Sequence, residues 1–288
     1  MKLLSFYEEN KVKLGVKTND GIIDVEAAAA FTGLSVPTTM LEVVTGGNKA
    51  IDQLNQLALQ APSILQEDAI QFAPAIHNPQ KVLCVGANYR KHAEESGLPI
   101  PNDPIYFSKY ANSLAAHRDK IELPNFTEEV DYEVELVVVI GKQTKRVSPS
   151  EALDYVFGYA VGNDLSARDL QFRSSQWLYG KAIDGFAPLG PYLVTADEVQ
   201  NPQNLTLKCW VNGELRQNSN TEDMIFNVAT IISDLSQIMT LEPGDVIYTG
   251  TPEGVILGME QKTWLDSGDE IVCEIDGLGR LVNQLYRS

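Results

Sequence analysis

Three acidic residues alternate with apolar ones in the segment VDYEVELVVVIG, residues 130–141. In an extended strand, side chains two positions apart point to the same face, so Asp131, Glu133 and Glu135 would project together. Neighbouring carboxylates repel one another unless a proton or a cation neutralises them. A divalent ion would do so, and ligands that are all oxygen suit Mg²⁺ or Mn²⁺. The alternative is a solvated strand face, and the pattern alone favours neither interpretation.

A further carboxylate, that of Asp164, follows the apolar segment YAVGN. A residue at the end of a strand is well placed to complete an octahedral shell that two carboxylates leave mostly empty. Asp164 is therefore the candidate for a third protein ligand. Taken alone, however, the segment favours a different interpretation, in which Asp164 or Ser166 caps a short helix through ARDLQF. On that helix Arg168 and Gln171 are three positions apart, so a guanidinium and an amide would face the same side.

His92 and Glu95 form a second pair that could do chemistry. A separation of three positions places them on one face of a helical turn. An imidazole oriented by a carboxylate can take a proton from water, as a general base does. A solvated surface pair is the more common meaning of this spacing. Gly86, Gly97 and Pro99 flank the pair and predict a loop with hinged ends, so the pair could lie on a lid.

Two loops supply further candidates for substrate contacts. Lys181 lies in the glycine- and aromatic-rich segment 176–191, where its ammonium group either holds a carboxylate or is simply solvated. Thr251 lies in a Gly-Thr-Pro turn that either donates hydrogen bonds to a ligand or only ends a strand. The sequence contains no GxxxxGK[ST] phosphate loop, no GxSxG nucleophile elbow and no dinucleotide fingerprint before a helix.

The composition limits the possible partners. The chain has 288 residues, 44% of them hydrophobic, and a formal net charge of -17. Such a charge repels phosphate backbones and anionic lipids, so we expect neither nucleic acid nor membrane as a partner, and an anionic substrate would need a cation. The N-terminal apolar stretch is too short for a signal peptide, and the three cysteines are widely spaced. These features predict a reduced, cytoplasmic protein.

Strands dominate the elements that must position these residues. The clearest strand patterns are KLLSFYEE, KVKLGVKT, KVLCVGANY, PIYFSKY, LTLKCWVNGELRQ, GDVIYTG and GDEIVCEIDGLGRLVNQL. Helical patterns occupy residues 39–61, broken at Gly46 and Gly47, and residues 227–241. Because long crossover helices are scarce, the sequence predicts a β-rich α+β fold. We expect a small lead-in unit over residues 1–70 and a catalytic domain over 71–288.

Taken in order, several of these segments resemble the fumarylacetoacetate hydrolase family. The segments are KVLCVGANYRKHAEESG, DYEVELVVVIGK, GYAVGNDLSARDLQ, KAIDGFAPLGP, LEPGDVIYTGTPEGV and DGLGRLVNQL, which lie between residues 79 and 286. The resemblance implies a mixed β-sheet roll that usually dimerises. It also implies Mg²⁺ or Mn²⁺ bound by Glu133, Glu135 and Asp164, with Asp131 next to the site or on the surface.

The same resemblance assigns roles to the other candidates. His92 and Glu95 match a water-activating pair on a mobile lid. The positions that hold or polarise substrate are matched by Arg168, Gln171, Lys181 and Thr251. Lys109 belongs to a family pattern that includes Phe107, while Tyr106, Tyr110 and His117 lie in a variable segment that would tune substrate choice.

The expected activity is metal-dependent hydrolysis of a carbon–carbon bond in an acylpyruvate-type substrate, a small 2-oxo or enol carboxylate, by way of an enolate. Enolate chemistry leaves two other outcomes open, decarboxylation of an oxaloacetate-like acid and isomerisation of an unsaturated dicarboxylate such as 2-hydroxyhepta-2,4-diene-1,7-dioate. A member that only binds a metal or metabolite is a further alternative. Retention of both His92 and Glu95 argues against it, because a binding protein needs no water-activating pair.

Overall fold

The computed structural model describes residues 1–62, 65–97 and 99–288. That part of the chain contains eighteen β-strands and six α-helices. The strands are β1 (Lys2–Glu8), β2 (Lys11–Lys17), β3 (Ile22–Asp24), β4 (Gln71–Ala73), β5 (Val82–Gly86), β6 (Ile105–Lys109), β7 (Leu114–Ala115), β8 (Lys120–Glu122), β9 (Val130–Asp131), β10 (Val134–Ile140), β11 (Val156–Asn163), β12 (Ser166–Ala167), β13 (Ala187–Thr195), β14 (Thr206–Val211), β15 (Glu214–Asn220), β16 (Val246–Tyr248), β17 (Glu270–Ile275) and β18 (Gly279–Tyr286). The helices are α1 (Val25–Thr32), α2 (Met40–Gln60), α3 (Arg90–Glu95), α4 (Arg168–Gln171), α5 (Leu178–Lys181) and α6 (Val228–Ile238).

A mixed sheet of eleven of these strands forms the centre of the fold. Its order is β3-β2-β1-β13-β11-β10-β16-β5-β6, with β4 attached to β1 and β7 to β13. A second sheet has the order β15-β14-β17-β18-β8, and β9 pairs with β12. Most neighbours are antiparallel, whereas β16 runs parallel to β5. The predicted β-rich α+β fold is confirmed. None of the helices in the described ranges is long and apolar enough to cross a membrane.

Strand β10 lies in the middle of the large sheet and is covered on both faces. Leu136 and Val138 pack into a core with residues of α6 and the five-stranded sheet. Val137 and Val139 pack into a second core with residues of α1 and α2. A strand covered on both faces becomes uniformly apolar, which explains the Val-Val-Val-Ile run. Each buried aliphatic side chain stabilises the fold by about 1.5–3 kcal/mol, so β10 is a firm base for the residues at its start.

The acidic segment before β10 is interrupted, so the expected continuous alternation is wrong. Strand β9 ends at Asp131 and β10 begins at Val134, which leaves Glu133 between two strands. The Glu133 N–H donates to the side-chain oxygen of Asn163 at 2.9 Å. The Glu133 carbonyl accepts a hydrogen bond from the N–H of Asp164, also at 2.9 Å. These two bonds tie the end of β11 to the acidic segment.

The N-terminal strands are part of the large sheet. Strand β1 pairs with β13, with Leu3 opposite Leu193, and also with β2 and β4. The boundary expected at residue 70 is therefore next to β4, a strand that pairs with β1. The division into a lead-in unit and a catalytic domain stays a prediction.

Three local predictions are confirmed by the backbone. Helix α2 is broken at Gly47, where φ is 55° and ψ is -139°, a conformation that glycine adopts without a Cβ penalty. The Asn-Gly turn joins β14 to β15, with positive φ angles of 51° at Asn212 and 81° at Gly213, as in a type I′ hairpin. The helix predicted over 227–241 is α6, whose first turn is capped by the Asn227 side chain.

Candidate active site

Glu133, Glu135 and Asp164 converge where β10 starts and β11 ends. Each offers one carboxylate oxygen, and these atoms all lie within 4.8 Å of one another. Val134 is paired with Asn163 in the antiparallel ladder, which brings the acidic residues on either side of them together. The three side chains are buried, at 5%, 2% and 0% exposure. A solvated strand face is therefore excluded for Glu133 and Glu135.

The helix-capping interpretation of this region is also wrong. Helix α4 begins after Ala167, and that position makes no side-chain capping bond. The Ser166 hydroxyl instead donates to the carbonyl of Asp164 at 2.8 Å. The Asp164 carboxylate is thereby left to face the other two acids.

Three buried cations surround this carboxylate triad. Lys181 Nζ lies 2.7 Å from an oxygen of Glu133 and 2.8 Å from an oxygen of Asp164. Arg168 Nη2 lies 2.6 Å from Glu133. Lys109 contacts the other oxygen of Asp164 from behind and donates to two backbone carbonyls. The cations hold two of the three acids in place.

The third acid, Glu135, has a different electrostatic environment. Its Oε2 accepts a hydrogen bond from the N–H of Gly250 at 2.7 Å. Burial, together with the charges of Asp164 and Glu133, raises the pKa of Glu135 well above its usual value. Burial also raises the pKa of Glu133, but Lys181 and Arg168 outweigh it and lower that pKa to about 2. Glu135 is therefore the member of the triad that most strongly favours added positive charge, from a proton or from a cation.

The donor set fits a hard divalent cation. Three convergent carboxylates offer oxygen ligands only, which suits Mg²⁺ or Mn²⁺, whereas zinc prefers nitrogen and sulfur. The raised pKa of Glu135 follows from the same clustering of buried acids and shows that positive charge would be stabilised at this point. Glu133, Glu135 and Asp164 could thus hold such an ion.

The predicted pair of His92 and Glu95 is present on α3. His92 Nδ1 lies 3.1 Å from Glu95 Oε1. Both oxygens of Glu95 accept the N–H of Gly254, each at 3.0 Å. The imidazole is buried and lines the same cavity as the triad. A histidine held in this way is oriented by the carboxylate behind it.

This cavity is small, at about 80 Å³. The predicted site residues that line it are His92, Glu133, Glu135, Asp164, Arg168, Gln171, Lys181 and Thr251. Glu95 is behind His92, and Lys109 is behind Asp164. Tyr106 packs against the core and interacts with Asp234 of α6. Tyr110 is exposed, and the His117 ring contacts that of Phe72. Tyr106, Lys109, Tyr110 and His117 are therefore not among the lining residues.

The decisive comparison is with a protein-family model. The model described as fumarylacetoacetate (FAA) hydrolase C-terminal matches residues 81–286. This chain belongs to the fumarylacetoacetate hydrolase family. The match includes the carboxylate triad, the His92–Glu95 pair and the loop that contains Thr251.

Curated members of the family are similar over almost the whole chain. The fumarylacetoacetate hydrolase domain-containing protein 2 homolog of Dictyostelium discoideum is 45% identical over 293 residues, which cover 96% of this chain and 93% of that protein. The mitochondrial oxaloacetate tautomerase FAHD2B of Bos taurus is 43% identical over 277 residues, which cover 94% of this chain and 87% of that protein.

Solved structures of the family have the same fold. Fumarylacetoacetate hydrolase from the psychrophilic bacterium Exiguobacterium antarcticum has a TM-score of 0.86 and 36% identity, with 100% of both chains covered. Maleylpyruvate hydrolase from Sphingobium sp. SYK-6, in complex with manganese(II) ion and pyruvate, has a TM-score of 0.81 and 30% identity, again with 100% of both chains covered.

Sequence reasoning missed several residues of this family member's site. Trp177 lines the cavity, and its ring meets edge to face that of Phe107, which the sequence named only as part of a family pattern, with centroids 5.3 Å apart. Gln217 is fully buried and accepts the N–H of Val134 between two triad acids. Asn88, also fully buried, donates to the carbonyl of Thr249 at 2.7 Å. No local pattern marks these two amides, because each acts on a residue far away in the chain.

Proposed function

We propose that this protein catalyses the keto–enol tautomerisation of oxaloacetate, or of another 2-oxo dicarboxylate of that size, by way of an enolate. The observation that carries the proposal is the buried triad of Glu133, Glu135 and Asp164 with Arg168 and Lys181 around one small cavity. The tautomerase from Bos taurus, 43% identical over 94% of this chain, supports the same reaction.

The triad would hold Mg²⁺ or Mn²⁺. Such an ion, when bound, supplies Lewis-acid stabilisation of the negative charge that develops on a substrate oxygen. The ion also completes the charge balance of Glu135, whose carboxylate contacts none of the three buried cations within ion-pair distance among the described residues.

Arg168 is suited to bind a substrate carboxylate. A guanidinium has five N–H donors. Four hydrogen bonds join that of Arg168 to described residues, and their acceptors are Asp131, Glu133 and Gln171. One donor is therefore left for a ligand in the cavity that Arg168 lines. Because buried acceptors already hold the guanidinium plane, this N–H can donate to a substrate carboxylate with little further loss of side-chain entropy.

His92 is the residue suited to move the proton. Conversion of an enol to its keto form requires a base that takes the proton from the enol oxygen and an acid that delivers one to carbon, and the reverse reaction exchanges these roles. When the Nδ1–H of His92 donates to Glu95, Nε2 keeps a free lone pair and can accept a proton. His92 lines the cavity, so its imidazole can reach a ligand there.

Similarity to an oxaloacetate tautomerase supports a short substrate. The Bos taurus enzyme of that name is 43% identical over 94% of this chain, which is the reason for placing isomerisation of the longer dicarboxylates below oxaloacetate chemistry. Phe107 and Trp177 give the cavity an apolar wall for the carbon chain of either kind of substrate.

Carbon–carbon hydrolysis of an acylpyruvate is the second candidate. It is favoured by the His92–Glu95 pair, which would take a proton from water as the water attacks a carbonyl carbon. The fold similarity to a maleylpyruvate hydrolase that binds manganese(II) and pyruvate points the same way. Decarboxylation of oxaloacetate would begin from the same enolate chemistry and is separated from tautomerisation by its products.

Compartment and assembly stay predictions. We expect the cytoplasm and a homodimer, although the bovine relative is a mitochondrial protein by name. Cell fractionation and light scattering on the purified protein measure these two properties directly.

The test is an assay of the purified protein with and without Mg²⁺ or Mn²⁺. Freshly dissolved enol-oxaloacetate is followed by its ultraviolet absorbance, and the products are identified by NMR. We expect metal-dependent conversion of enol to keto form with all four carbons retained, and its loss in Glu133→Gln but not in the exposed control Glu128→Gln.

Other products would identify the other candidate activities. Release of carbon dioxide and pyruvate would indicate a decarboxylase, and release of pyruvate from acetopyruvate would indicate the hydrolase. If oxaloacetate, acylpyruvates and 2-hydroxyhepta-2,4-diene-1,7-dioate all react no faster with protein and metal than with metal alone, the enzyme assignment is wrong and a binding role remains.

A further inference from the structure

One loop holds three acidic side chains of different function. The loop, residues 250–257 and here called the site loop, follows β16 and lines the cavity at its two ends, with Thr251 and Leu257. Its backbone N–H groups donate from Gly250 to Glu135, from Gly254 to Glu95, and from Ile256 and Leu257 to Asp131. A proposed metal ligand, the partner of His92 and a third carboxylate are thus held by one short segment.

The third carboxylate, Asp131, is fully buried and saturated with hydrogen bonds. Its Oδ1 accepts the N–H groups of Tyr132 and Ile256, both at 2.9 Å. Its Oδ2 accepts the N–H of Leu257 at 3.0 Å, and Nε and Nη2 of Arg168 at 2.9 and 2.8 Å. Five donors occupy its two oxygens, so Asp131 is neither a metal ligand nor a surface residue.

Asp131 and Glu133 share one guanidinium. Nη2 of Arg168 lies 2.8 Å from Asp131 and 2.6 Å from Glu133. Without the charge of Asp131, the attraction of Arg168 would be directed at Glu133 alone, and the guanidinium would turn toward it. A carboxylate held more tightly by a cation is a weaker metal ligand, and a turned guanidinium is misplaced for a substrate carboxylate.

We propose that Asp131 is a positioning residue that couples the orientation of Arg168 to the site loop, and through the loop to Glu95. The inference rests on the proposed function for its effect on turnover, and on the structure alone for its effect on metal binding and loop mobility. Asp131 is not among the residues that line the cavity, and it acts through the two groups that it joins.

The main variant is Asp131→Asn, which keeps the size and removes the charge. We expect the Mn²⁺ dissociation constant, measured by electron paramagnetic resonance, to rise by about 10- to 100-fold. We expect KM for oxaloacetate to rise by at least about tenfold with a smaller change in kcat, because substrate placement is lost before chemistry. Amide hydrogen exchange at Ile256 and Leu257 should accelerate, since their acceptor is weakened.

A matched control separates these effects from loss of stability. Asp245 is also fully buried and accepts the N–H and the ammonium of Lys81 and the N–H of Glu242, at the opposite end of β10. Asp245→Asn should lower Tm while the Mn²⁺ dissociation constant and KM stay within twofold of wild type. If both variants change Tm alone, Asp131 has only a structural role and the proposal is overturned.

A second variant keeps the test decisive if Asp131→Asn does not fold. Arg168→Lys removes the fork but keeps the charge, and Arg168 itself makes no hydrogen bond to the site loop among the described residues. Faster amide exchange at Ile256 and Leu257 in this variant supports the coupling, and unchanged exchange overturns it. If wild type does not turn over oxaloacetate, the proposed function fails, while Mn²⁺ binding and exchange still decide the role of Asp131.

Discussion

The carboxylate triad and the His92–Glu95 pair are built in opposite ways. The triad lies at the junction of β10 and β11, in the middle of a sheet that is covered on both faces. The pair lies on α3, a helix of six residues without a side-chain N-cap. Polar contacts join α3 to the rest of the protein. Examples are the hydrogen bonds from the Gly254 N–H to Glu95 and from the Lys91 N–H to Asp223.

The difference follows from what each region must do. Three acidic side chains stay close together only if the surrounding structure does not relax. Burial in a densely packed central sheet prevents that relaxation. A short helix with few buried apolar contacts opens at a lower free energy than a central strand. The position of α3 over the cavity therefore suits a segment that moves to admit substrate, as the predicted lid would.

The largest effect is expected from Glu135→Gln in the rigid region. Turnover should fall by about 10³-fold or more, because a Lewis acid contributes several kcal/mol to transition-state stabilisation. The metal-free protein should be at least as stable as wild type, since the substitution removes a carboxyl whose pKa is raised by burial and by Asp164 and Glu133. Mn²⁺ titration and thermal unfolding check both parts. Tight Mn²⁺ binding by this variant would exclude Glu135 as a ligand.

On α3, His92→Ala should separate the proposed proton transfer from the proposed metal binding. We expect kcat to fall by about 10²- to 10⁴-fold, the usual contribution of a general acid–base group. The Mn²⁺ dissociation constant should remain unchanged, because His92 belongs to α3 and not to the triad. Steady-state kinetics and Mn²⁺ titration measure the two quantities, with Glu94→Gln, an exposed acid on the same helix, as the control. An equal loss of metal affinity would show that the two regions are not independent.

A milder change is expected from Gly258→Ala, which probes the contact between α3 and the segment after β16. A Cβ at this position would lie 2.7 Å from Cδ of Glu95, so the carboxylate would have to move. We expect kcat to fall by about tenfold, because a small displacement of an orienting group already slows proton transfer. In a Glu95→Gln background the same substitution should have little further effect. Additive losses in the double variant would place the effect of Gly258 elsewhere.

The smallest effect on turnover is expected at His117, which belongs to neither region. Burial, and then the charge of Arg118, lowers the pKa of His117 to about 4. An unfolded chain takes up this proton near pH 6.5, so the free energy of unfolding should fall as pH drops from about 6.5 to about 4, by at most about 3 kcal/mol. In urea unfolding across this range, the free energy of unfolding of His117→Gln should depend less on pH than that of wild type, and turnover at pH 7 should be unchanged. If the variant loses as much stability in acid as wild type does, other groups cause the loss.

Periodicity and turn chemistry were enough for much of the architecture. Helix α6, the Asn-Gly hairpin and the kink at Gly47 each depend on neighbouring residues, which a sequence displays directly. The proximity of Glu133 and Glu135 could be anticipated from strand spacing, although Glu133 lies between strands. The likeness of ordered motifs to a family contributed more than spacing did to the choice of Asp164.

Other parts of the site could not be derived from local pattern. Gln217 contacts Val134 from 83 residues away, and a glutamine in a polar strand carries no signal of complete burial. The role of Lys109 behind Asp164 depends on which face of β6 meets the end of β11. The two-residue break between β9 and β10, after Asp131, could not be predicted either. An alternating pattern does not show where a strand changes its partner.

The buried charges around the cavity have a consequence for how a metal and an anion would bind together. Four carboxylates face three cations, the former being Asp131, Glu133, Glu135 and Asp164 and the latter Lys109, Arg168 and Lys181. Because the pKa of Glu135 is raised by burial and by its acidic neighbours, its carboxyl holds a proton in the absence of a metal, and the other three carboxylates balance the three cations. A divalent ion that displaced this proton would change the net charge of the cluster from zero to one positive charge. We therefore expect a bound divalent ion to strengthen the binding of an anionic 2-oxo acid by a protein whose own net charge is -17.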